Sequence, residues 1–404
     1  MWQFPWRYKE SFIIATGLFF CGILLQIASP VTIPLICFPY NVVIGILLIL
    51  TSSSLLYFCG KNQVVIWLSG IPASISAIVL FSSLSLLIGF IPQHSVVDRS
   101  ALDFGFTHVV SSWPYLFSEI YLLIILCMVT IRRIFPFRWT NTGFILNHVG
   151  LIIVLSGIAL GAGDKQKILM NLYESQLEWK GYNEKNQIVE LPLAIKLKKF
   201  VIDDYNPSMV FVDNATGDVI KDKTHGQQFL IDSGLSVTKY GYKINIIRYL
   251  ADASFFNDAF LPFKSKGSVP AAFIQTVNSS GQVSKGWISC GNYISPQIIL
   301  RLDKSVSIAM EMPRPKKYCS EISIYSKEKP IIETSIEVNK PFSFEGWKIY
   351  QTGFDEKMGK WSNLSVIQLV RDPWLSFIYT GFFMLMAGAG FVIWRGRNNN
   401  KTIK

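Results

Sequence analysis

The apolar residues of this chain collect in six long runs that carry almost no charge. Each run holds about twenty residues, which is the length that an α-helix needs to cross the hydrocarbon core of a bilayer. We therefore predict a helical transmembrane bundle of about six spans. The runs occupy residues 11–29, 40–59, 64–90, 115–134, 142–162 and 374–394.

The stretch between the fifth and sixth runs, residues 164–372, has a different pattern. Apolar and polar residues alternate there with period two, which is typical of half-buried β-strands. In residues 191–200, for example, Leu193, Ile195 and Leu197 alternate with polar or small neighbours. Turn residues separate further short segments that are rich in β-branched and aromatic side chains. We predict a large extracytoplasmic antiparallel β-rich domain of sandwich type.

Lysine and arginine residues predict the orientation of the spans. The short loops 30–39 and 91–114 contain only Arg99, whereas the other turns and both ends of the chain are basic. By the positive-inside rule both termini are cytoplasmic, and the β domain faces outward. In a bacterium, this places the protein in the inner membrane with the domain in the periplasm. The basic residues on the cytoplasmic side are Arg7, Lys9, Lys61, Arg132, Arg133, Arg138, Arg395, Arg397, Lys401 and Lys404.

The composition excludes several classes of protein. Half of the residues are hydrophobic and only 16% are charged, against about a quarter in soluble proteins. Much of the net charge of +11 is the orientation signal, so it does not indicate a nucleic-acid partner. The β domain contains no GxSxG, no HExxH and no phosphate-binding glycine loop, and so no hydrolase or transferase motif. Its one histidine, His225, lies in a polar stretch that we interpret as a solvated loop.

Six cysteines give little further information. There is no CxxC, so neither thioredoxin-type exchange nor covalent haem attachment to this chain is indicated. Cys290 and Cys319 fall in the β domain. A disulfide between them in an oxidising compartment and two free thiols are both open alternatives.

The last ninety residues or so carry a family resemblance. A Gly-Trp…Tyr-Gln pattern is followed there by Asp-Pro and a closing apolar run. This arrangement resembles the C-terminal part of the ResB family of cytochrome c maturation (System II) membrane proteins. The similarity extends upstream to residues 86–93, 111–133 and 147–163. The residues that carry the C-terminal resemblance are Gly346, Trp347, Tyr350, Gln351, Asp372 and Pro373.

The resemblance implies a division of the chain into four parts. Residues 1–62 are two extra N-terminal transmembrane helices, because the family's usual plan has four spans. Residues 63–163 form the three-helix family core, and residues 164–372 form the β domain. Residues 373–404 hold the C-terminal helix and a basic tail. The adjacent tryptophans of the family's partner subunit are absent, so this chain is not the form that fuses both subunits.

His148 lies about a turn and a half into the fifth apolar run. An ionisable side chain in a span usually faces the bundle interior and has a partner. One interpretation is a neutral imidazole that bonds a neighbouring helix or a backbone carbonyl. The other is an axial ligand of haem iron, a common role of neutral imidazole. The resemblance favours the second, because the corresponding ResB span carries a histidine implicated in holding haem.

The other two histidines near the spans, His94 and His108, lie at the outer ends of spans three and four. We interpret each as a loop residue, or as a weaker outer-face haem candidate near an exit. An electron carrier with two bis-histidine haems needs four histidines inside its bundle. Only His148 is inside, which argues against a self-contained carrier and implies that a second ligand would come from another chain.

The resemblance implies a cytochrome c biogenesis subunit. It would work with a CcsA/ResC-type haem-handling membrane protein, transport non-covalently bound haem outward and deliver it to apocytochrome c. Thioether bonds would form there between the haem vinyl groups and the cytochrome's own cysteines. The chain would be half of a synthase and not an enzyme by itself. The alternative is a haem-free, membrane-anchored scaffold that assembles an envelope or respiratory complex.

Overall fold

The computed structural model describes residues 2–29, 35–93, 104–220, 229–292 and 294–399. These residues form two compact units. The first unit joins Met1–Gln166 with Arg371–Lys404 and contains the helices, and the second is Lys167–Val370 and contains the β-strands.

The helical unit contains the predicted spans. Six of its helices are long and apolar enough to cross a membrane, which confirms the prediction. The seven α-helices of the described residues are α1 (Tyr8–Ala28), α2 (Tyr40–Cys59), α3 (Gln63–Leu68), α4 (Ile71–Phe90), α5 (Trp113–Ile134), α6 (Thr142–Gly161) and α7 (Leu375–Asn399).

The third apolar run is two helices rather than one. α3 ends before Ser69 and Gly70, and α4 begins with a proline in its first turn. α3 is too short to span a bilayer, and it packs against α1 instead. The buried Trp67 donates its Nε1–H to Ser11 Oγ at 2.8 Å. Hydrophobicity alone could not show this break, because both segments are apolar.

α5 is the central helix of the bundle. More than half of its span is buried, whereas α2 has only 6% of its span buried. Tyr121, Leu122 and Ile125 of α5 share one apolar cluster with residues of α1 and α4. Tyr121 OH also lies 3.1 Å from Ser76 Oγ on α4, so a polar contact accompanies the apolar packing.

Glycines bring α6 and α7 into close antiparallel contact. A Cβ atom added at Gly150 would lie 2.7 Å from the carbonyl oxygen of Gly381, and one added at Gly381 would lie 2.8 Å from that of Gly150. Small residues at such an interface let two helix backbones approach closely. The same contact is repeated along α6 by Gly143 against Val392, Gly157 against Ile378 and Gly161 against Trp374.

Asp164, which follows α6, connects the end of that helix to the starts of α2 and α7. Its Oδ1 accepts a hydrogen bond from the backbone N–H of Phe38 at 2.8 Å. Its Oδ2 accepts bonds from Asn41 Nδ2 and Trp374 Nε1, each at 2.7 Å. One carboxylate therefore connects the start of α2 and the start of α7 to the end of α6.

The described residues of the β unit form three sheets whose neighbouring strands are antiparallel. The first has eight strands in the order β14-β13-β3-β2-β1-β17-β16-β15, the second has the order β10-β9-β7-β6 with β8 on β7, and the third has the order β11-β12-β4-β5. The strands are β1 (Gln166–Tyr173), β2 (Leu177–Asn183), β3 (Ile188–Asp204), β4 (Ser208–Asp213), β5 (Phe229–Leu230), β6 (Ser236–Lys239), β7 (Tyr242–Phe256), β8 (Ala259–Pro262), β9 (Val269–Val277), β10 (Val283–Ser289), β11 (Leu300–Arg301), β12 (Val306–Met310), β13 (Pro315–Ser326), β14 (Ile332–Glu337), β15 (Phe342–Phe344), β16 (Trp347–Phe354) and β17 (Leu364–Arg371).

Two main cores hold this unit together, and only one of them has the predicted sandwich form. Ile244 and Ile274 of the second sheet pack against Met209 and Ile308 of the third, as the faces of a sandwich do. The eight-stranded sheet instead encloses its own core. Residues near both of its ends, such as Ile336 on β14, belong to one cluster with Leu193, Ile195 and Leu197 on the predicted strand.

All six cysteines are free thiols. Cys319 lies on β13 of the eight-stranded sheet, and Cys290 follows β10 of the second sheet. Burial raises the pKa of the Cys290 thiol to about 11, so this sulfur is a poor nucleophile at neutral pH.

Candidate functional site

The Gly-Trp pair of the resemblance forms a tight hairpin. Phe344 pairs directly with Trp347 across β15 and β16, which leaves Glu345 and Gly346 as a two-residue turn. Both turn residues have positive φ, +47° and +79°. A type I′ turn requires such angles at both positions, and it favours glycine. The Trp347 side chain is buried in the core of the eight-stranded sheet, so this pair has a structural role.

Gln351 is the centre of a buried polar network. Its Oε1 accepts hydrogen bonds from the hydroxyls of Ser320 on β13 and Ser365 on β17. Its Nε2 donates to the carbonyl of Gly353 at 2.7 Å, beside a bulge in β16. Buried networks of this kind specify one packing arrangement when every member is satisfied. Gln351 therefore fixes the register of three strands and is not exposed for chemistry.

The Asp-Pro pair begins α7. The Oδ1 atom of Asp372 accepts the backbone N–H of Trp374 at 3.2 Å, and its carboxylate lies 4.0 Å from Lys165 Nζ. An acidic side chain at this position stabilises a helix start through the free backbone donors and the helix dipole.

His148 lies on α6, near the end that follows the arginine-rich turn. Its Nδ1 is 2.9 Å from the carbonyl oxygen of Phe144, one turn earlier in the same helix. A carbonyl oxygen can only accept, so Nδ1 carries the proton and Nε2 carries the lone pair. Nε2 has no hydrogen-bond partner among the described residues. The hydrogen bond is thus made within α6 and not to a neighbouring helix.

Phe144 contacts both the imidazole and a cation. Its ring stacks on the His148 ring with centroids 3.6 Å apart and an interplanar angle of 23°. The guanidinium carbon of Arg133 lies 5.2 Å from the same phenyl centroid. Sequence reasoning missed this group of three. The i, i+4 spacing of Phe144 and His148 on a helix was the signal that could have revealed it.

Among the described residues, no polar side chain of a neighbouring helix forms a hydrogen bond with His148. Thr51 and Ser53 bond carbonyls of their own helix, α2. Asn147 faces α7, where a Cβ atom added at Gly388 would lie 2.5 Å from its Oδ1. Glu119 lies on α5 closer to the end that begins at Trp113, away from His148.

His108 lies at the opposite end of the bundle, in a 3₁₀ turn at Phe106–Ser111. Its Nε2 is 3.5 Å from Gln26 Nε2 on α1, and its Nδ1 is 3.3 Å from Thr107 Oγ1. The buried Gln26 also accepts the backbone N–H of Trp113 at the start of α5. His94 and His225 lie outside the described residues.

The structure does not bring His108 and His148 together. His108 precedes the first residue of α5, whereas α6 begins just beyond the last residue of α5. At about 1.5 Å of rise per residue, the two imidazoles are separated along the bundle by on the order of 20 Å. One haem iron cannot be held by both.

A large apolar cleft lies beside α6 but does not include His148. This α2–α6 cleft has a volume of about 860 Å³ and is lined by residues of α2, α5, α6 and α7, including Val149. Asn41, Asp164 and Trp374 form its polar end. Within the described ranges there is also no cluster of three or more histidine, cysteine or acidic residues that could hold a metal ion.

The β unit has two cavities that share a polar wall. They have volumes of about 690 and 400 Å³, and Asp204, Lys360 and Trp361 line both. Lys360 Nζ forms an ion pair of 2.5 Å with Asp252 Oδ1. Burial raises the pKa of nearby Tyr249 to about 12.

The comparison with protein families agrees with the sequence resemblance. The ResB-like family matches residues 295–363, which run from just before β11 to just before β17 and contain Gly346, Trp347, Tyr350 and Gln351. No curated protein matches the chain significantly. The predicted resemblance is thus confirmed over this segment, and this multi-pass membrane protein is linked by its ResB-like segment to cytochrome c maturation.

Proposed function

We propose that this protein is the ResB-type subunit of a complex that carries haem outward and attaches it to apocytochrome c. Its partner would be a CcsA/ResC-type membrane protein with the tryptophan motif that this chain lacks. The observation that carries the proposal is the ResB-like segment at residues 295–363 in a chain with six potential membrane spans. Haem is the cargo of this complex and is passed on to apocytochrome c.

His148 has the properties of an axial ligand. The Nδ1–H bond to the Phe144 carbonyl fixes the tautomer, as bonds of this kind do for metal-ligating histidines. Nε2 is left with its lone pair and without a partner among the described residues. His148 would hold haem iron through Nε2 while haem passes through the complex. A second ligand would come from the partner, because His108 lies too far along the bundle.

Position and charge suggest where His148 acts. It lies in the half of α6 closest to Arg133, at the end of α5, and to Arg138, in the turn that follows α5. If the basic end is cytoplasmic, His148 takes up haem from that side. The guanidinium of Arg133 lies over Phe144, and it would supply positive charge for the haem propionates. The β unit lies in the periplasm of a bacterial cell and docks the partner or apocytochrome c.

Substitution of His148 tests this proposal. The complex of the His148→Ala variant with its partner should lose most of its Soret absorbance, and cytochrome c maturation should fail while the protein still inserts. Added imidazole should partly restore both, because it can enter the space that the side chain leaves. His108→Ala is the matched control and should keep the Soret band. Full haem content in His148→Ala would refute His148 as the ligand.

The haem-free scaffold is the second candidate function. One observation favours it: His148 already stacks on Phe144 and bonds the carbonyl of Phe144, so its position in the helix needs no metal. Under this alternative the purified complex shows no Soret band, and His148→Ala loses a polar contact of about 1 kcal/mol without a change in cytochrome maturation.

A further inference from the structure

α2 is the least embedded of the spans. Only two of its side chains, Asn41 and Ser52, are buried. Asn41 fixes one end of the helix through Asp164 and through the carbonyl of Leu160, at 2.7 and 2.9 Å. Ser52 is buried near the middle of the helix. On either side of Ser52 a cleft separates α2 from the rest of the bundle.

The cleft at the other end of α2, here the α2–α5 cleft, has a volume of about 650 Å³. Its walls are mainly apolar, but one cation and several hydroxyls face the same space. It is lined chiefly by Ser53, Ser54, Tyr57, Phe58, Arg132 and Phe135. A cleft of this size is too small for a transmembrane helix, which is about 10 Å wide.

The positive charge at this end has little acidic compensation. Arg132 donates from Nη1 to Ser69 Oγ at 2.7 Å, and in the part of the chain that the structure describes it forms no ion pair. A guanidinium has five N–H groups, so one hydrogen bond leaves most of its donors for another partner. Among the described residues, Glu10 is the one carboxylate near the end of the bundle that holds Arg132. Its Oε2 already accepts the backbone N–H of Arg7.

We propose that the α2–α5 cleft binds an anionic phospholipid, with its phosphate on Arg132 and its acyl chains along the apolar walls. Basic pockets between transmembrane helices are suited to such headgroups, and arginine is suited to the planar recognition of phosphate. The bound lipid would hold the free half of α2 against α5, as Asn41 holds the other half against α6. This site does not depend on the proposed haem function.

Lipid titration of the full-length protein in detergent, followed by native mass spectrometry, tests the proposal. The probes are phosphatidylglycerol and phosphatidylcholine with the same acyl chains. We expect wild type to prefer phosphatidylglycerol and Arg132→Gln to bind it about tenfold more weakly, which is about 1.4 kcal/mol. Arg138→Gln is the matched control: it removes the same charge from an exposed residue outside the cleft lining and should bind like wild type.

Two further variants separate the binding role of Arg132 from a structural one. Ser69→Ala removes the hydrogen bond to Arg132 but keeps the guanidinium, and it should retain phosphatidylglycerol. Ser54→Leu fills the cleft without changing the charge, and it should lose this lipid even if Arg132→Gln does not fold. Equal binding to the Arg132 and Arg138 variants, equal affinity for phosphatidylcholine, or complete displacement by inorganic phosphate would overturn the proposal.

Discussion

Replacement of Gly150 by alanine tests the close contact of α6 with α7. The new Cβ would lie 2.7 Å from the carbonyl oxygen of Gly381 and 3.0 Å from the backbone nitrogen of Leu385. Both neighbours are backbone atoms, so no side-chain rotation can relieve the overlap. Ordinary van der Waals contact begins near 3.4 Å. The two helices must therefore move apart by several tenths of an ångström at their tightest point.

Two effects of opposite sign determine the stability of this variant. Overpacking of a well-packed site typically costs about 1–3 kcal/mol. Alanine is also the better helix former, which returns roughly 0.8–1 kcal/mol. Gly390, on α7, has nothing within 4 Å of an added Cβ and so provides a matched control. Gly390→Ala should show only the gain in stability from the better helix former. The free energies of unfolding of the two variants should therefore differ by about 1–3 kcal/mol.

The measurement is the temperature at which half of the detergent-solubilised, full-length protein remains monodisperse by size-exclusion chromatography. Gly150→Ala should have a lower midpoint than wild type, and Gly390→Ala should have a midpoint equal to wild type or higher. The close approach of α6 and α7 would be refuted if the two alanine variants had the same midpoint.

Two further predictions concern the β unit. Gln351→Leu removes the acceptor that two buried serine hydroxyls share and should lower the free energy of unfolding by about 1–3 kcal/mol. Chemical denaturation monitored by tryptophan fluorescence measures this change. Gln368→Leu, on the opposite face of β17, is the control. Hydrogen bonds, first from Tyr242, hold the pKa of the exposed Asp303 carboxyl below its usual range. The carboxylate is thus favoured in the folded state, and its contribution is present at neutral pH and lost as the pH falls through the lowered pKa. Tyr242→Phe should therefore be less stable than wild type at pH 7 and approach it in strong acid; a difference that does not depend on pH would contradict this assignment.

The elements that depend on local patterning could be predicted from the sequence. The apolar runs predicted the spans, because each run is long enough by itself to satisfy its backbone within a bilayer. The alternation at Leu193, Ile195 and Leu197 predicted a strand with one buried face, and all three side chains are buried. The division of residues 64–90 into α3 and α4 was missed, because no polar residue interrupts the hydrophobicity strongly enough.

The features that depend on distant parts of the chain could not be predicted. Nothing near β14 in the sequence shows that its core residues join those of β15 and β16 within one curled sheet. At the candidate site, the position of His148 within a span could be predicted from the sequence, but its tautomer could not. The tautomer depends on whether the imidazole bonds the Phe144 carbonyl or a group on a neighbouring helix, and the packing of the helices determines which of these partners is within reach. The ion pair of Asp252 with Lys360 was likewise hidden by its separation in the chain.

The glycine face of α6 also has a consequence for biosynthesis. The ribosome makes α6 before the whole β unit, and α7 only after it. Until α7 enters the membrane, the four small residues on α6 face lipid, and Asp164 lacks the indole donor that Trp374 will bring. The nascent protein therefore exposes the glycine face of α6 while the more than two hundred residues of the β unit are synthesised. A membrane protease or chaperone that binds the exposed glycine face of α6 would distinguish chains that stalled before α7 from completed chains.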